Sequence, residues 1–196
     1  MKKQPNHIAS RACVLIGSCL IVVAVLLSLL WQWGVRSSAQ KMGNCVDIIR
    51  SLIPEVQSTV LEERRDNTMA VLSLDGTDFV GMLEMPRYGS VLPVCASWGM
   101  VSKYPSCLSG SIYDGTMQIG GTSQEGQYDF YREISLGDDV YFTDMEGNRY
   151  SYAITGIRYE KHADQTTLQR EEAALTLFIK NIYAFDYIVI YCNPLV

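Results

Sequence analysis

Hydrophobic positions along the chain fall into three regimes. Between Arg11 and Arg36 no charged residue occurs, and Leu, Val and Ile dominate residues 12–35. That run exceeds the ~20 helical residues needed to cross a bilayer core. Over 45–65, Val46, Ile49, Ile53, Val56, Val60 and Leu61 recur mostly at steps of three and four, which predicts an amphipathic helix. Charges from Asp47 to Arg65 fill its other side. Pro54 lies inside this pattern and lacks a backbone donor, so the helix is expected to kink or split there. Residues 36–43, between the two helical segments, are polar, small and aperiodic, and read as a short stalk.

From Thr77 onward the signals are those of strands. Residues 79–85 form an apolar core strand closed by Pro86. Shorter strands are predicted over 91–94 and 116–120, the latter running into the Gly120-Gly121 pair. Residues 129–134 read as a brief helix. Strands over 140–143 and 149–157 flank Asp144-Met145-Glu146-Gly147-Asn148, a hairpin turn with glycine where a positive φ is needed. A polar connection over 158–170 leads to two last apolar strands, 174–179 and 187–191. Many short strands with long connections predict a mainly β, antiparallel-rich barrel.

Charge then gives the chain a direction. Lys2, Lys3 and Arg11 precede the apolar run with no acidic residue among them, so the N-terminus is expected to stay in the cytoplasm. Trp31 and Trp33 close the run as residues suited to the membrane interface. A cleaved signal peptide ending near Ser37-Ser38-Ala39 is the alternative, although its apolar core is usually only ~7–15 residues. The organisation expected is a cytoplasmic tail at 1–11 and a transmembrane helix at 12–35, with a stalk and amphipathic helix at 36–76. A β-barrel domain follows at 77–196 on the extracytoplasmic side of the cell membrane. Thirteen of the sixteen basic residues and all twenty-one acidic ones follow residue 35, leaving that part with a formal charge of −8. Nucleic acid selects basic patches and is excluded as a partner.

Candidate chemistry is sparse. No Walker or dinucleotide glycine pattern occurs, no C-x-x-C pair occurs, and His162 is the one histidine after the apolar run. Neither a cofactor nor a metal is therefore expected. Cys45, Cys95, Cys107 and Cys192 permit two disulfides in three connectivities, with Cys95 and Cys107 close enough in sequence to bridge a short loop. Unpaired, packed thiols are the equal alternative.

The order of motifs over 83–191 resembles the sortase family. Leu83-Glu84-Met85-Pro86-Arg87-Tyr88-Gly89-Ser90-Val91-Leu92-Pro93-Val94 is similar to that family's "IPKIGV-x-LPV" strand pair. The stretch from Leu136-Gly137-Asp138 through Tyr150-Ser151-Tyr152 resembles its "L-x-x-Gly-Asp" hairpin. Met117-Gln118-Ile119-Gly120-Gly121-Thr122-Ser123 falls where sortases have "hydrophobic-x-Ile-Ala-Gly-His-Asn", and Leu175-Thr176-Leu177-Phe178-Ile179-Lys180 where they have "Leu-Thr-Leu-x-Thr-Cys". The resemblance implies an eight-stranded barrel with short helices, behind an N-terminal membrane anchor. It also places Lys180 at the nucleophilic Cys, Thr122 at the His, and Tyr187 or its neighbour Asp186 at the Arg.

Transpeptidation of that kind needs a thiolate nucleophile, a titrating imidazole and a cation facing the oxyanion. A lysine would end in a stable amide, a threonine does not titrate near neutrality, and a tyrosine offers only a neutral hydrogen bond. The expected protein is a catalytically inactive, membrane-anchored sortase-like protein acting in surface-protein or pilus assembly. Its peptide groove would involve Leu92, Pro93, Thr122, His162, Lys180 and Tyr187. The alternative is an active cysteine transpeptidase or hydrolase with a relocated pair, His162 with Cys192 or Cys95.

Overall fold

The structure, a computed structural model, describes residues 7–58, 67–161, 173–184 and 186–195; within the first helix it describes the side chains of 16–30 and 40–52. The chain divides into two compact units, 1–38 and 39–196.

The first element, α1 (His7–Leu52), is one continuous helix. It runs through 36–43, where the polar composition predicts a stalk. A helix already nucleated on both sides propagates through such residues at small cost per residue. It stops before Pro54 and does not continue to 65, because the residue preceding a proline is pushed out of the helical region. Positions 60 and 61 of the expected helical pattern lie outside the described residues. In the second unit, Met42, Val46 and Ile49 are buried at 5%, 6% and 0% exposure. Their three- and four-residue spacing makes one stripe, and Val46 and Ile49 pack with Phe79, Met82 and Cys95. Among the described residues no helix is long and apolar enough to cross a membrane.

Ten strands follow: β1 (Gln57–Ser58), β2 (Leu72–Leu74), β3 (Thr77–Met85), β4 (Ser90–Cys95), β5 (Ser106–Ser109), β6 (Met117–Thr122), β7 (Asp139–Asp144), β8 (Asn148–Glu160), β9 (Leu175–Lys180) and β10 (Tyr187–Pro194). The sheet path β8-β10-β9-β6-β5-β4-β3 is closed by β7, which pairs with both β3 and β8. Eight strands thus form a ring, and β1 and β2 are short additions at its margins. Two 3₁₀ turns, Pro86–Tyr88 and Trp98–Met100, are the short helices of this mainly β unit.

Alternation decides what fills the ring. Leu175, Leu177 and Ile179 of β9 and Ile188, Ile190 and Cys192 of β10 join the main core. Phe178, Val189 and Tyr191 form a separate cluster on the opposite face of the same strands. Residues 129–134 are not the expected helix. They form successive turns in which Tyr131 N bonds Tyr128 O and Glu133 N bonds Phe130 O. Burial of Tyr128, Tyr131 and Ile134 in the main core outweighs the local helical preference. Asp138 anchors the entry to β7 by accepting from Arg87, the Tyr88 hydroxyl and Ser135 N.

Packing of α1 on the barrel is testable with neighbouring residues. Ile49 is fully buried and Ile48 is 49% exposed. Ile49→Ala is expected to lower unfolding free energy by about 2–5 kcal/mol in denaturant titration. Ile48→Ala should change it by less than about 0.5 kcal/mol. Equal effects would contradict the packing.

Candidate functional site

Three of the predicted site residues meet at one end of three neighbouring strands. β6 and β9 run parallel, with Thr122 in register with Lys180. β9 and β10 are antiparallel, with Lys180 opposite Tyr187. Thr122, Lys180 and Tyr187 are therefore consecutive rungs of one row. Residues paired this way project to the same face with Cβ atoms about 4.5–5.5 Å apart. Parity puts them with Phe178 on the face away from the main core.

Each member of the row is fixed differently. Thr122 is 8% exposed, and both its backbone N and its hydroxyl donate to Gln127 Oε1, at 2.9 and 3.3 Å. Lys180 is exposed at the strand end. The Tyr187 ring stacks on Phe178 with centroids 5.0 Å apart and planes 9° from parallel. Beyond the strands, Ser123 N donates to Lys180 O at 3.0 Å, and Ile182 N donates to Ser123 Oγ at 3.1 Å. Asn181 Oδ1 accepts from Tyr183 N at 3.1 Å, while Asn181 N donates to Asp186 O at 2.9 Å. The loop joining β9 to β10 is thereby tied to the end of β6. Among the described residues, Asp186 Oδ1 is buried without a hydrogen-bond partner.

The glycine pair before Thr122 serves both faces. A Cβ on Gly120 would lie 2.2 Å from the Trp98 ring, and one on Gly121 would lie 2.3 Å from the Tyr128 ring. Only glycine lets the indole lie against β6 on one face and the phenol fill the core on the other. Gln124 Nε2 donates to Ser102 O at 2.8 Å and Gln127 Nε2 to Val101 O at 3.4 Å, holding the Trp98 loop against β6. Trp98, 38% exposed, and the buried Gln127 adjoin the row, and the sequence patterns did not point to either directly. The adjacent glycines are the signal that points to them.

The other candidates lie elsewhere. Leu92 packs in the main core, and Pro93 is buried opposite Met82, on the face where Val46 and Ile49 pack. Neither reaches the row, because alternation along β4 sends one inward and the other under α1. Cys192 pairs with Leu175 at the far end of β9, roughly 16 Å along the strand from Lys180. It is fully buried, and burial pushes its thiol far up. Cys95 is likewise buried, its thiol pushed up to about 12 by desolvation and then by Cys45 and Asp78. Cys107 is partly buried against the main core, away from the cluster that holds Cys95, so the short-loop bridge is not the arrangement seen. All described cysteines carry free thiols. His162 lies outside the described residues. The row itself offers one amine, one engaged hydroxyl and an aromatic platform. Such a surface can hold a chain through hydrogen bonds and stacking, and its three members include no imidazole, carboxylate or thiol.

Comparison with solved structures shows a sortase-like fold. Sortase A from Corynebacterium diphtheriae matches with a TM-score of 0.51 and 18% identity, covering 60% of this chain and 61% of that one. Sortase C-1 from Actinomyces oris matches at 0.51 and 14%, covering 61% and 76%. Sortase C1 from Streptococcus agalactiae matches at 0.51 and 16%, covering 63% and 71%. The chain thus spans about three fifths of the Corynebacterium sortase A chain. No protein-family model and no curated protein sequence matches.

The placement of the cysteines predicts slow thiol chemistry. In the folded protein at about pH 7, Cys95 and Cys192 should alkylate at least ~100-fold more slowly than a free thiol. Because burial raises these thiols, the Cys95 rate should climb about tenfold per pH unit as pH rises. Site-resolved mass spectrometry checks both, and a cysteine faster than a free thiol would contradict the placement.

Proposed function

We propose that this chain is a membrane-anchored, extracytoplasmic sortase-like protein that binds peptide without cleaving it. It serves as an assembly accessory for surface or pilus proteins. The observation that carries the reading is the row Thr122–Lys180–Tyr187 at the ends of three adjacent strands. By sequence resemblance, these are the positions where sortases have His, Cys and Arg. An amine, a hydroxyl held by Gln127 and a stacked phenol occupy them. Loss of one member of a coupled catalytic set removes several orders of magnitude of rate, and here all three differ.

Binding and catalysis are separable properties of a site. Trp98, exposed, and Tyr187, half-buried and backed by the buried Phe178 ring, supply aromatic surface, and Lys180 an amine for carbonyl or carboxylate groups. The sortase C of Clostridium perfringens was solved with a C-terminal cell wall sorting motif, which gives the class of peptide to try first. The anchor is supported by the uncharged run 12–35 and by the bare apolar side chains of α1, among them Leu20, Ile21 and Leu30 at 65–66% exposure. A helix apolar on all sides belongs in a bilayer. The burial of Cys95 and Cys192 weighs against the relocated cysteine enzyme.

The test uses the wild-type chain in detergent with a library of sorting-signal peptides and an amine acceptor. Intact mass should reveal no acyl-enzyme, while fluorescence anisotropy detects binding. Lys180→Glu should weaken that binding about tenfold or more, by reversing a contact charge. An adduct on any cysteine that disappears in His162→Ala would overturn the inactive reading.

A further inference from the structure

Cys45 and Cys95 belong to one small cluster, on the opposite side of β4 from the main core. Cys95 is fully buried there with Val46, Ile49, Phe79 and Met82, and Cys45 packs against the same group from α1. Cys45 lies between Met42 and Ile49 on the buried stripe of the helix. Cys95 is held in place by pairing with Phe79 of β3 and Ser106 of β5. Tyr104 closes the cluster, its ring edge-on to Phe79 with centroids 5.3 Å apart. We propose that Cys45 and Cys95 form a redox-sensitive pair that oxidises to a disulfide, fastening α1 to β4 of the barrel.

The reaction needs an oxidant of the disulfide class, an oxidised thiol oxidoreductase or a small-molecule disulfide. Cys45, half-buried and the more accessible of the two, attacks one sulfur of that disulfide as a thiolate and releases the first thiol. Cys95 then attacks Cys45 Sγ in the mixed disulfide and displaces the second thiol. Two electrons and two protons pass from the pair to the oxidant, which leaves as two thiols. Both cysteines begin with raised thiols: burial and then Asp75 act on Cys45, and burial, Cys45 and Asp78 act on Cys95. Tyr104 also faces both thiols. Closure should therefore be slow near neutrality and faster as pH rises. Extracytoplasmic compartments let such bonds persist. The inference does not depend on whether the strand-end row is catalytic.

The experiment treats the full-length chain in detergent with oxidised glutathione at about pH 8, then alkylates and digests it without reduction. The expected product is a peptide pair joining Cys45 to Cys95, lighter by two hydrogens than its reduced components. The melting temperature should rise by roughly 5–10 °C, fall back with reductant, and show no such shift in Cys45→Ser. Cys107→Ser should retain both effects. A Cys95–Cys107 linkage would overturn the proposal. So would Cys45 and Cys95 recovered separately, each alkylated or carrying glutathione, from protein that remained folded.

Discussion

The structure depends on closure of the ring, which β7 achieves by pairing with β3 on one side and β8 on the other. Once closed, the sheet cannot slip by one residue without turning every core side chain outward. Register then becomes a property of the whole barrel. It places Leu175, Leu177 and Ile179 in the core and forces Lys180 to the outer face beside Thr122 and Tyr187. The row at the strand ends is a consequence of packing several residues away. It persists whether or not its members can do chemistry.

That separation lets the fold stand independently of which side chains occupy the row. Gly120 and Gly121 keep Trp98 and Tyr128 seated, and Gln127 fixes both Thr122 and the Trp98 loop. None of these contacts needs an imidazole or a thiolate. Among the cysteines, Cys192 fills the core at the opposite end of β9, and Cys95 lies under α1. A surface built this way presents stacking area and one amine to a ligand.

Much of the barrel was legible in the sequence because short apolar runs bounded by turn residues mark strands covered on both faces. β3, β9 and β10 are such runs, β8 alternates over 150–154, and the hairpin at Gly147 is announced by its turn residues. The weaker elements had no such signal. β5 is Ser-Cys-Leu-Ser, and its link to β4 is a single parallel pair, Cys95 with Ser106. β1 and β2 are shorter still and owe their existence to the strands they lean on. Residues 36–43 were misread for the opposite reason: their composition is loop-like, yet turns on both sides carry the helix through. The row of Thr122, Lys180 and Tyr187 was legible only through resemblance, since no composition rule relates a threonine, a lysine and a tyrosine spread over 66 positions. For Leu92 and Pro93 the motif gives proximity in sequence but not which face each takes, and the structure buries both.

The central claim is that this row holds a peptide and leaves it intact. Hydrogen–deuterium exchange with a sorting-signal peptide tests both halves in one mass-spectrometric run. The account predicts slowed exchange over 117–123 and 175–187, with the peptide recovered at its original mass. A cleaved or transferred peptide, or no change in exchange over those two segments at saturating peptide, would contradict it.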